Sequence, residues 1–171
     1  MKAIEIQNNP GVLRKVLLFS GILSSMVYVA ANIVCALRYD GYSSSSQTVS
    51  ELSAIDSPAR LLWMLILSIY TALVIAFGWG VVKTAGTNKR LRIAGILLIV
   101  YASIGLFWPP MHQREVLAAG GGTLTDTLHI VFTIVTVPLM LLIISFGAAA
   151  FGKWFRIYSI MTIVIQLLFA S

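Results

Sequence analysis

Two histidines and an aspartate, residue types suited to proton transfer near neutral pH, fall close together between two apolar segments of the chain. His112, Asp126 and His129 all lie in the stretch from residue 107 to residue 129. Asp126 and His129 are three residues apart, a spacing that places both side chains on one face of a helix. We therefore predict that Asp126 and His129 form a coupled pair, and we take all three residues as candidate catalytic groups.

A second set of polar residues has side chains suited to ligand binding: Arg114, Glu51, Ser50 and Arg60. An arginine can hold a phosphate or an acidic sugar through two parallel hydrogen bonds. The hydroxyl of Ser50, or equally that of Ser53, could act as a nucleophile beside a histidine, although no nucleophile-elbow motif surrounds either residue. Two histidines and a carboxylate also provide zinc-binding atoms, but their spacing matches no zinc motif, so we expect neither a metal nor a cofactor.

Structural roles would explain most of the same residues. The segment TLTD that ends at Asp126 has the form of a capping box at the start of a helix. His129 could remain neutral and bond Asp126 or a backbone carbonyl, and Arg114 could pair with Glu115 or Glu51. The sequence leaves the structural and the functional roles open. His129 is the residue that a structural role explains least easily, because an ionisable side chain within an apolar segment is costly without a partner.

The composition places most of the chain in a membrane. Of its 171 residues, 58% are hydrophobic and only 11% are charged, and the mean hydropathy is +0.92. Soluble domains carry about 25% charged residues. The net charge of +6 does not indicate nucleic-acid binding, because the basic residues are spread between apolar segments. The single cysteine, Cys35, lies in an apolar run and is expected to be a small buried residue.

Runs of apolar residues predict an all-α fold, a polytopic transmembrane helical bundle formed by a single membrane domain over residues 1–171. Each run is close to the length of about 20 residues that crosses a bilayer as a helix. Pro109 and Pro110 are expected to end the third span, and Pro138 is expected to kink the fourth. The five predicted spans cover residues 16–37, 61–82, 91–108, 125–151 and 154–171.

The loop after the first span breaks the apolar pattern with a run of serines and three acidic residues. Thr48 and Glu51 have the spacing of a capping box, which predicts a short helix near Thr48 to Ile55 that lies at the membrane surface. Ser57 and Pro58 predict the cap and the first turn of the next span. The small residues expected to let helices pack closely are Gly21, Ser24, Ser25, Gly78, Gly95, Ala102 and Gly105.

The basic residues predict which side of the membrane each loop occupies. With a cytoplasmic N-terminus, nine of the twelve lysines and arginines lie on the inner side. Only Arg38, Arg60 and Arg114 then lie outside, and both histidines lie there too. Because cytoplasmic loops carry an excess of basic residues, we predict a multi-pass protein of the cell inner membrane, with its N-terminus in the cytoplasm.

Three segments occur in the order SELSAIDSP, FWPPMHQR and TLTDTLHIVFT. This ordering resembles the bacterial integral-membrane family catalogued as domain of unknown function 998, and the resemblance extends from about Val16 to the end of the chain. It implies a membrane fold of six or more helices with no settled activity. Since the chain ends within its fifth predicted span, we expect the natural product to continue or the last helix to depend on its neighbours. The resemblance places the family's polar signatures at Ser50, Glu51, Asp56, Pro58, Pro109, His112, Asp126 and His129.

These features predict an outward-facing polar site that binds a lipid headgroup or another small polar ligand, with or without hydrolytic chemistry. The alternative is a noncatalytic structural or accessory membrane protein, in which the polar loop residues only stabilise the fold. Membrane lipid is the expected partner and nucleic acid is not, while a homo-oligomer or a complex with another membrane protein stays open. Whether the two outer loops converge decides whether the candidate residues can form one site.

Overall fold

Every regular element that the structure describes is a helix. The computed structural model describes residues 10–169, and it contains no strand within that range. The all-α fold class is thereby confirmed, whereas predictions that fall on residues 1–9 and 170–171 lie outside the described part. A 3-10 helix occupies Val49–Ser53. The α-helices are α1 (Pro10–Arg38), α2 (Arg60–Thr84), α3 (Lys89–Gly105), α4 (Arg114–Ala118), α5 (Leu124–Ala150) and α6 (Lys153–Phe169).

Three of these helices are long and apolar enough to cross a membrane. They are α1 from Gly11 onwards, α2 and α5, with 28, 25 and 27 residues and mean hydropathies of 1.9, 2.3 and 2.5. At a rise of 1.5 Å per residue, each exceeds the roughly 30 Å thickness of a hydrocarbon core. Helices α3 and α6 have 17 residues each, which is about the lower limit for a span. Each of the five predicted spans therefore corresponds to a helix, and three of those helices have a full spanning length.

The first two long helices begin ahead of their predicted spans. Helix α1 begins at Pro10 rather than Val16, because a proline is well tolerated in the first turn, where its missing N–H would have no partner. Helix α2 begins at Arg60, one residue before its predicted span, and its cap is Ala59 rather than the predicted Ser57. The Ser57 hydroxyl instead accepts the Ala59 N–H at 3.2 Å, which forms a turn ahead of the helix.

The connection between α3 and α5 contains an element that the sequence did not predict. Helix α3 ends at Gly105 rather than at Trp108, and turn hydrogen bonds from the N–H groups of Leu106 and Phe107 follow it. The helical conformation is disfavoured for a residue that precedes proline, so the chain is already extended when it reaches the double proline. It then forms the five-residue helix α4, where the sequence predicted only a loop. Helix α5 starts one residue before its predicted start and contains Pro138 within its length.

Helices that are consecutive in the sequence pack against one another: α1 on α2, α2 on α3, α3 on α5, and α5 on α6. Helices α2 and α3 approach closely at two glycines. A Cβ atom added to Gly78 would lie 2.9 Å from the Gly95 carbonyl oxygen, and one added to Gly95 would lie 2.9 Å from the Gly78 oxygen. The predicted close packing is confirmed at these two positions. It was wrong for Gly105, where an added Cβ would meet nothing within 4 Å.

The variant Gly95→Ala is expected to destabilise the bundle by roughly 1–2 kcal/mol, because the added methyl group would overlap the backbone of α2. Thermal unfolding of the full chain in detergent would measure the loss. Gly105→Ala adds the same methyl group to the same helix, at a position with open space, and should leave the unfolding temperature nearly unchanged. Equal unfolding temperatures for the two variants would contradict the close approach of α2 and α3.

One end of the bundle gathers the segments that carry the candidate residues. Helices α1 and α3 end there, and α2 and α5 begin there. The 3-10 helix packs between the end of α1 and the start of α2, and Cys35 is fully buried beside it, as predicted. This position brings the loop after α1 next to the loop after α3. The buried side chains of this core are Ala31, Cys35, Leu52, Ala59 and Trp63.

Candidate functional site

The two loops that carry the candidate residues are in direct contact. We call residues 39–59 the first loop and residues 106–123 the second loop. The Ile55 N–H donates to the Met111 carbonyl oxygen at 2.7 Å, and the guanidinium group of Arg114, at the start of α4, donates to the Ser46 carbonyl oxygen at 2.7 Å. The loops therefore converge, a point that the sequence left open, and the candidate residues can form one cluster.

Asp126 anchors the second loop to the start of α5. Its Oδ1 accepts the His112 backbone N–H at 2.7 Å, and its Oδ2 lies 2.9 Å from His112 Nδ1. The Oδ2 atom also accepts the Thr123 N–H at 2.8 Å and the Thr123 hydroxyl at 2.9 Å. Asp126 is 7% exposed, so these four hydrogen bonds satisfy a nearly buried carboxylate. Its predicted role in a capping box is confirmed.

Asp126 bonds His112 rather than its predicted partner, His129. At the third position of α5 the carboxylate reaches back to the helix N-terminus, where backbone N–H groups lack helical partners. The second loop brings His112 to the same point. His129 lies almost one turn further along α5 and meets a different part of that loop.

Glu51 holds the first loop together and links it to α4. Its Oε2 accepts the Gln47 side-chain amide at 2.9 Å, while its Oε1 accepts the Thr48 N–H at 3.2 Å and the Arg114 guanidinium at 3.1 Å. The Glu51 side chain is 2% exposed, whereas that of Arg114 is 54% exposed. Of the two ion pairs that the sequence left open for Arg114, the one with Glu51 is formed.

His129, a residue of α5, is buried against both loops. Its Nδ1 lies 2.8 Å from the Pro109 carbonyl oxygen and 3.1 Å from the Trp108 indole nitrogen. Its Nε2 lies 3.3 Å from the Ser50 hydroxyl oxygen. The imidazole stands at 90° to the Trp108 ring, with 5.4 Å between the ring centroids. The backbone carbonyl that the sequence left open as a partner of His129 is therefore that of Pro109.

The segments that form this cluster lie within the range that matches a known family. The family described as "Protein of unknown function (DUF998)" matches residues 22–171. The chain belongs to the DUF998 family. No curated protein and no solved structure matches it. Because the DUF998 description names no activity, a function for the chain has to be argued from the geometry of its own residues.

The DUF998 cluster is the set of bonded side chains of Gln47, Ser50, Glu51, Trp108, His112, Arg114, Thr123, Asp126 and His129. Two of them were missed by sequence reasoning. Gln47 lies four residues before Glu51, a spacing that could have revealed it as a partner on the same side of a turn. Trp108 offered no such signal, because it reaches His129 only through the path that the chain takes after α3. Of the predicted candidates, Arg60 lies at the start of α2, and no contact among residues 10–169 joins its side chain to the cluster. The hydroxyl of Ser53 donates to the Ser50 carbonyl oxygen at 3.0 Å.

Charge in the DUF998 cluster is arranged in two layers. The carboxylates of Glu51 and Asp126 are nearly buried, while the side chains of His112 and Arg114, which bond them, are 20% and 54% exposed. Burial, with a smaller contribution from the Glu51 carboxylate, raises the pKa of Tyr42 in the first loop. The Tyr42 hydroxyl therefore stays protonated and donates to the Thr48 carbonyl oxygen at 3.3 Å. Two buried acids thus lie beneath an arginine and a histidine that face outwards.

Two open grooves lie next to the DUF998 cluster. One open groove of about 170 Å³ is lined by the end of α1 and the first loop, including Asn32, Tyr42 and Gln47. A second groove of about 340 Å³ is apolar and lies between the end of α3 and α5. His112, Asp126 and His129 line neither groove. Within residues 10–169, no three histidine, cysteine or acidic side chains are grouped as metal ligands.

Proposed function

We propose that this DUF998 protein is a multi-pass protein of the cell inner membrane whose outward-facing polar cluster binds a phosphate-bearing lipid headgroup. In this proposal α3 and α6 complete a set of five spans, the N-terminus is cytoplasmic, and the 3-10 helix lies at the outer membrane surface. The three long apolar helices support membrane insertion. The excess of basic residues on the opposite side of the spans supports the orientation.

One observation carries the binding proposal: the two outward-facing groups are held in place but keep bonding capacity. His112 Nδ1 is engaged with Asp126, whereas His112 Nε2 has no partner among the described residues and is not a buried atom. In the Arg114 guanidinium, only Nη2 bonds other described residues. Each side chain is thus fixed from behind by a nearly buried carboxylate and offers its other nitrogen atoms outwards.

Phosphate is the ligand chemistry that fits these two groups. The planar guanidinium matches two phosphate oxygens in a bidentate contact, and an N–H at His112 Nε2 can donate to another. Because both side chains are already ordered, little conformational entropy is lost when the ligand binds. Phosphate groups lie at the surface of every phospholipid bilayer, where the proposed orientation places the cluster.

The double variant His112→Ala with Arg114→Ala is expected to weaken binding of short-chain phosphatidic acid by about tenfold or more, because charge-assisted hydrogen bonds are lost. Microscale thermophoresis on the full chain in detergent would measure the affinity. Short-chain diacylglycerol, which lacks phosphate, should bind the native chain and the variant alike. Arg38→Ala removes the same charge from the exposed end of α1 and should leave the affinity unchanged. An unchanged affinity of the double variant would overturn the proposal.

Inorganic phosphate distinguishes a lipid from a soluble ligand at the same site. If acyl chains contribute to binding, inorganic phosphate will displace short-chain phosphatidic acid only at much higher concentration than the lipid itself. If the two compete at similar concentrations, the cluster recognises a free phosphate compound, and the lipid part of the proposal is wrong while the phosphate part stands.

A structural role is the second candidate, and the dense bonding of the cluster favours it. The two carboxylates join the first loop, the second loop with α4, and the start of α5, and neither open groove enters between them. If the protein is a noncatalytic accessory protein, the same double variant will lower the unfolding temperature while its affinity for short-chain phosphatidic acid stays unchanged.

A further inference from the structure

A serine hydroxyl and a histidine nitrogen meet where the first loop touches α5. Ser50 lies in the 3-10 helix and His129 in α5, so they are 79 residues apart, yet Ser50 Oγ lies 3.3 Å from His129 Nε2. Within residues 10–169, this is the contact that joins a hydroxyl of the first loop to a ring nitrogen of α5. A nucleophile within hydrogen-bond reach of a base is the arrangement that covalent catalysis requires.

Two groups compete for the other nitrogen of His129, and the competition determines where the ring carries its proton. The Pro109 carbonyl oxygen can only accept a hydrogen bond, whereas the Trp108 indole N–H can only donate one. Nδ1 therefore bonds one of them at a time. The distance is 2.8 Å to Pro109 and 3.1 Å to Trp108, so the proton is assigned to Nδ1. The neutral ring then presents the lone pair of Nε2 to the Ser50 hydroxyl.

The surroundings hold the imidazole in this orientation. His129 is 5% exposed, and the Trp108 ring packs against its edge at 90°. The Pro109 carbonyl thus acts as the group that orients the base, and Trp108 acts as a positioning residue. Ser50 is only partly buried, whereas the base behind it is nearly buried. Ser53, the other serine of the 3-10 helix, directs its hydroxyl to a backbone carbonyl instead.

We propose that Ser50 is the nucleophile and His129 the general base for hydrolysis of a carboxylic ester of a membrane phospholipid. The substrate class rests on the proposed function, in which His112 and Arg114 take the headgroup phosphate. In a glycerophospholipid the ester carbonyls lie on the tail side of the phosphate. Ser50 directly precedes Glu51, which bonds Arg114, so the residue that carries the hydroxyl adjoins the one that holds the proposed phosphate contact.

The reaction follows from the positions of the protons. Ser50 Oγ attacks the ester carbonyl carbon while its proton passes to His129 Nε2. The bond from that carbon to the glycerol oxygen then breaks, and the proton on Nε2 passes to the leaving oxygen, which gives a lysophospholipid and an acyl group on Ser50. Water, deprotonated by Nε2, attacks the acyl group, which releases the fatty acid and returns the proton to Ser50.

A fluorophosphonate probe, which reacts with activated serines, tests the nucleophile on the full chain in detergent. The native chain should be labelled on the peptide that contains Ser50, and Ser50→Ala should not be labelled. The labelling rate of His129→Gln should be lower by a factor of about 100 or more, because the general base is lost. Ser53→Ala is the matched control in the same 3-10 helix and should be labelled at the native rate. An unlabelled native chain, or labelling that survives Ser50→Ala, would overturn the proposal.

Lipid binding and thermal unfolding separate failure of the reaction from failure of the proposed function or of folding. The unfolding temperature of Ser50→Ala in detergent shows whether a loss of labelling comes from a loss of folding. If that temperature falls, Ser50→Cys takes its place, because it retains the size and a nucleophile and should be labelled by a thiol-directed ester probe. If native protein binds the lipid but neither reacts with the probe nor releases fatty acid, the reaction is wrong and the binding function stands. If Ser50 is labelled but phosphate gives no selectivity, the ester chemistry stands and the substrate is an uncharged lipid ester.

Discussion

The variant Asp126→Ala is expected to release the second loop from the start of α5. The substitution removes all four hydrogen bonds that tie His112 and Thr123 to the carboxylate. Two of their donors are backbone N–H groups in partly buried hydrogen bonds, and they would lose their acceptor at a cost in free energy. Backbone amides of residues 111–124 should exchange with deuterium roughly tenfold faster or more. Local opening of the loop would cost less free energy, because these hydrogen bonds would no longer have to be broken. Hydrogen exchange with mass spectrometry on the full chain would measure the change.

Two further variants show whether the effect comes from the hydrogen bonds or from the charge. Asp40→Ala removes an acidic side chain from an exposed position in the first loop and should leave exchange in residues 111–124 as it is. Asp126→Asn keeps the shape and one acceptor oxygen, so it should give an intermediate rate. If Asp126→Ala exchanges at the native rate, the carboxylate does not anchor the loop.

Anchoring of the loop and binding of phosphate should be coupled. Since Asp126 fixes His112, removing Asp126 takes away the order that makes His112 ready for a ligand. Asp126→Ala should therefore weaken the binding of short-chain phosphatidic acid. The substitution His112→Ala should then reduce the affinity of the Asp126→Ala variant by less than it reduces the affinity of the native chain. Additive effects of the two substitutions would indicate that the residues act independently.

The variant Glu51→Ala is expected to destabilise the protein by about 3 kcal/mol. Hydrogen bonds to a charged group are worth about 1.5–3 kcal/mol each, and removing one partner of a buried ion pair costs about 3–5 kcal/mol. The lower part of this range applies because Arg114 is half exposed and can bond water once the carboxylate is gone. Gln47 and the Thr48 N–H would lose their acceptor as well. Thermal unfolding of the full chain in detergent, followed by circular dichroism, would measure the loss.

Glu115→Ala is the matched control for charge. Glu115 is an exposed acid in the first turn of α4, so its removal should change the unfolding temperature by far less. The variant Glu51→Gln keeps an acceptor for Thr48 but loses the ion pair, and it should lie between Glu51→Ala and the native chain. An unfolding temperature of Glu51→Ala equal to that of Glu115→Ala would show that the buried carboxylate does not hold the two loops together.

These variants also decide how the two proposed roles of the cluster relate. A cluster that only joins loops should lose stability in proportion to the hydrogen bonds that each substitution removes. A binding site often contains groups that are not optimal for stability, so substitutions at its ligand-facing side cost little or even stabilise. We expect a loss of stability from substitutions at Glu51 and Asp126, which are nearly buried. We expect little loss from substitutions at His112 and Arg114, which face outwards.

The features that the sequence determined by itself are those set by short-range patterns. Apolar runs predicted each long helix, because length and hydropathy alone decide whether a segment can bury its backbone in lipid as a helix. The capping positions of Glu51 and Asp126 followed from a spacing of three residues, which fixes the contact within one turn. The membership in the DUF998 family was predicted from the order of three polar segments and is confirmed by the family match. The unpredicted α4 and the early end of α3 show where such patterns fail, at short polar stretches next to prolines.

The partners of the candidate residues were decided only by the tertiary structure. Arg114 and Glu51 are 63 residues apart, and Ser50 and His129 are 79 apart, so no local spacing relates them. Both contacts exist because α1, α2, α3 and α5 pack in a row and bring two loops to one end of the bundle. The choice of His112 over His129 as the partner of Asp126 depends on the path of the chain after α3, which the double proline and α4 set together. Contacts between distant segments depend on where every helix between them begins and ends, and a shift of one turn in any of them changes which side chains meet.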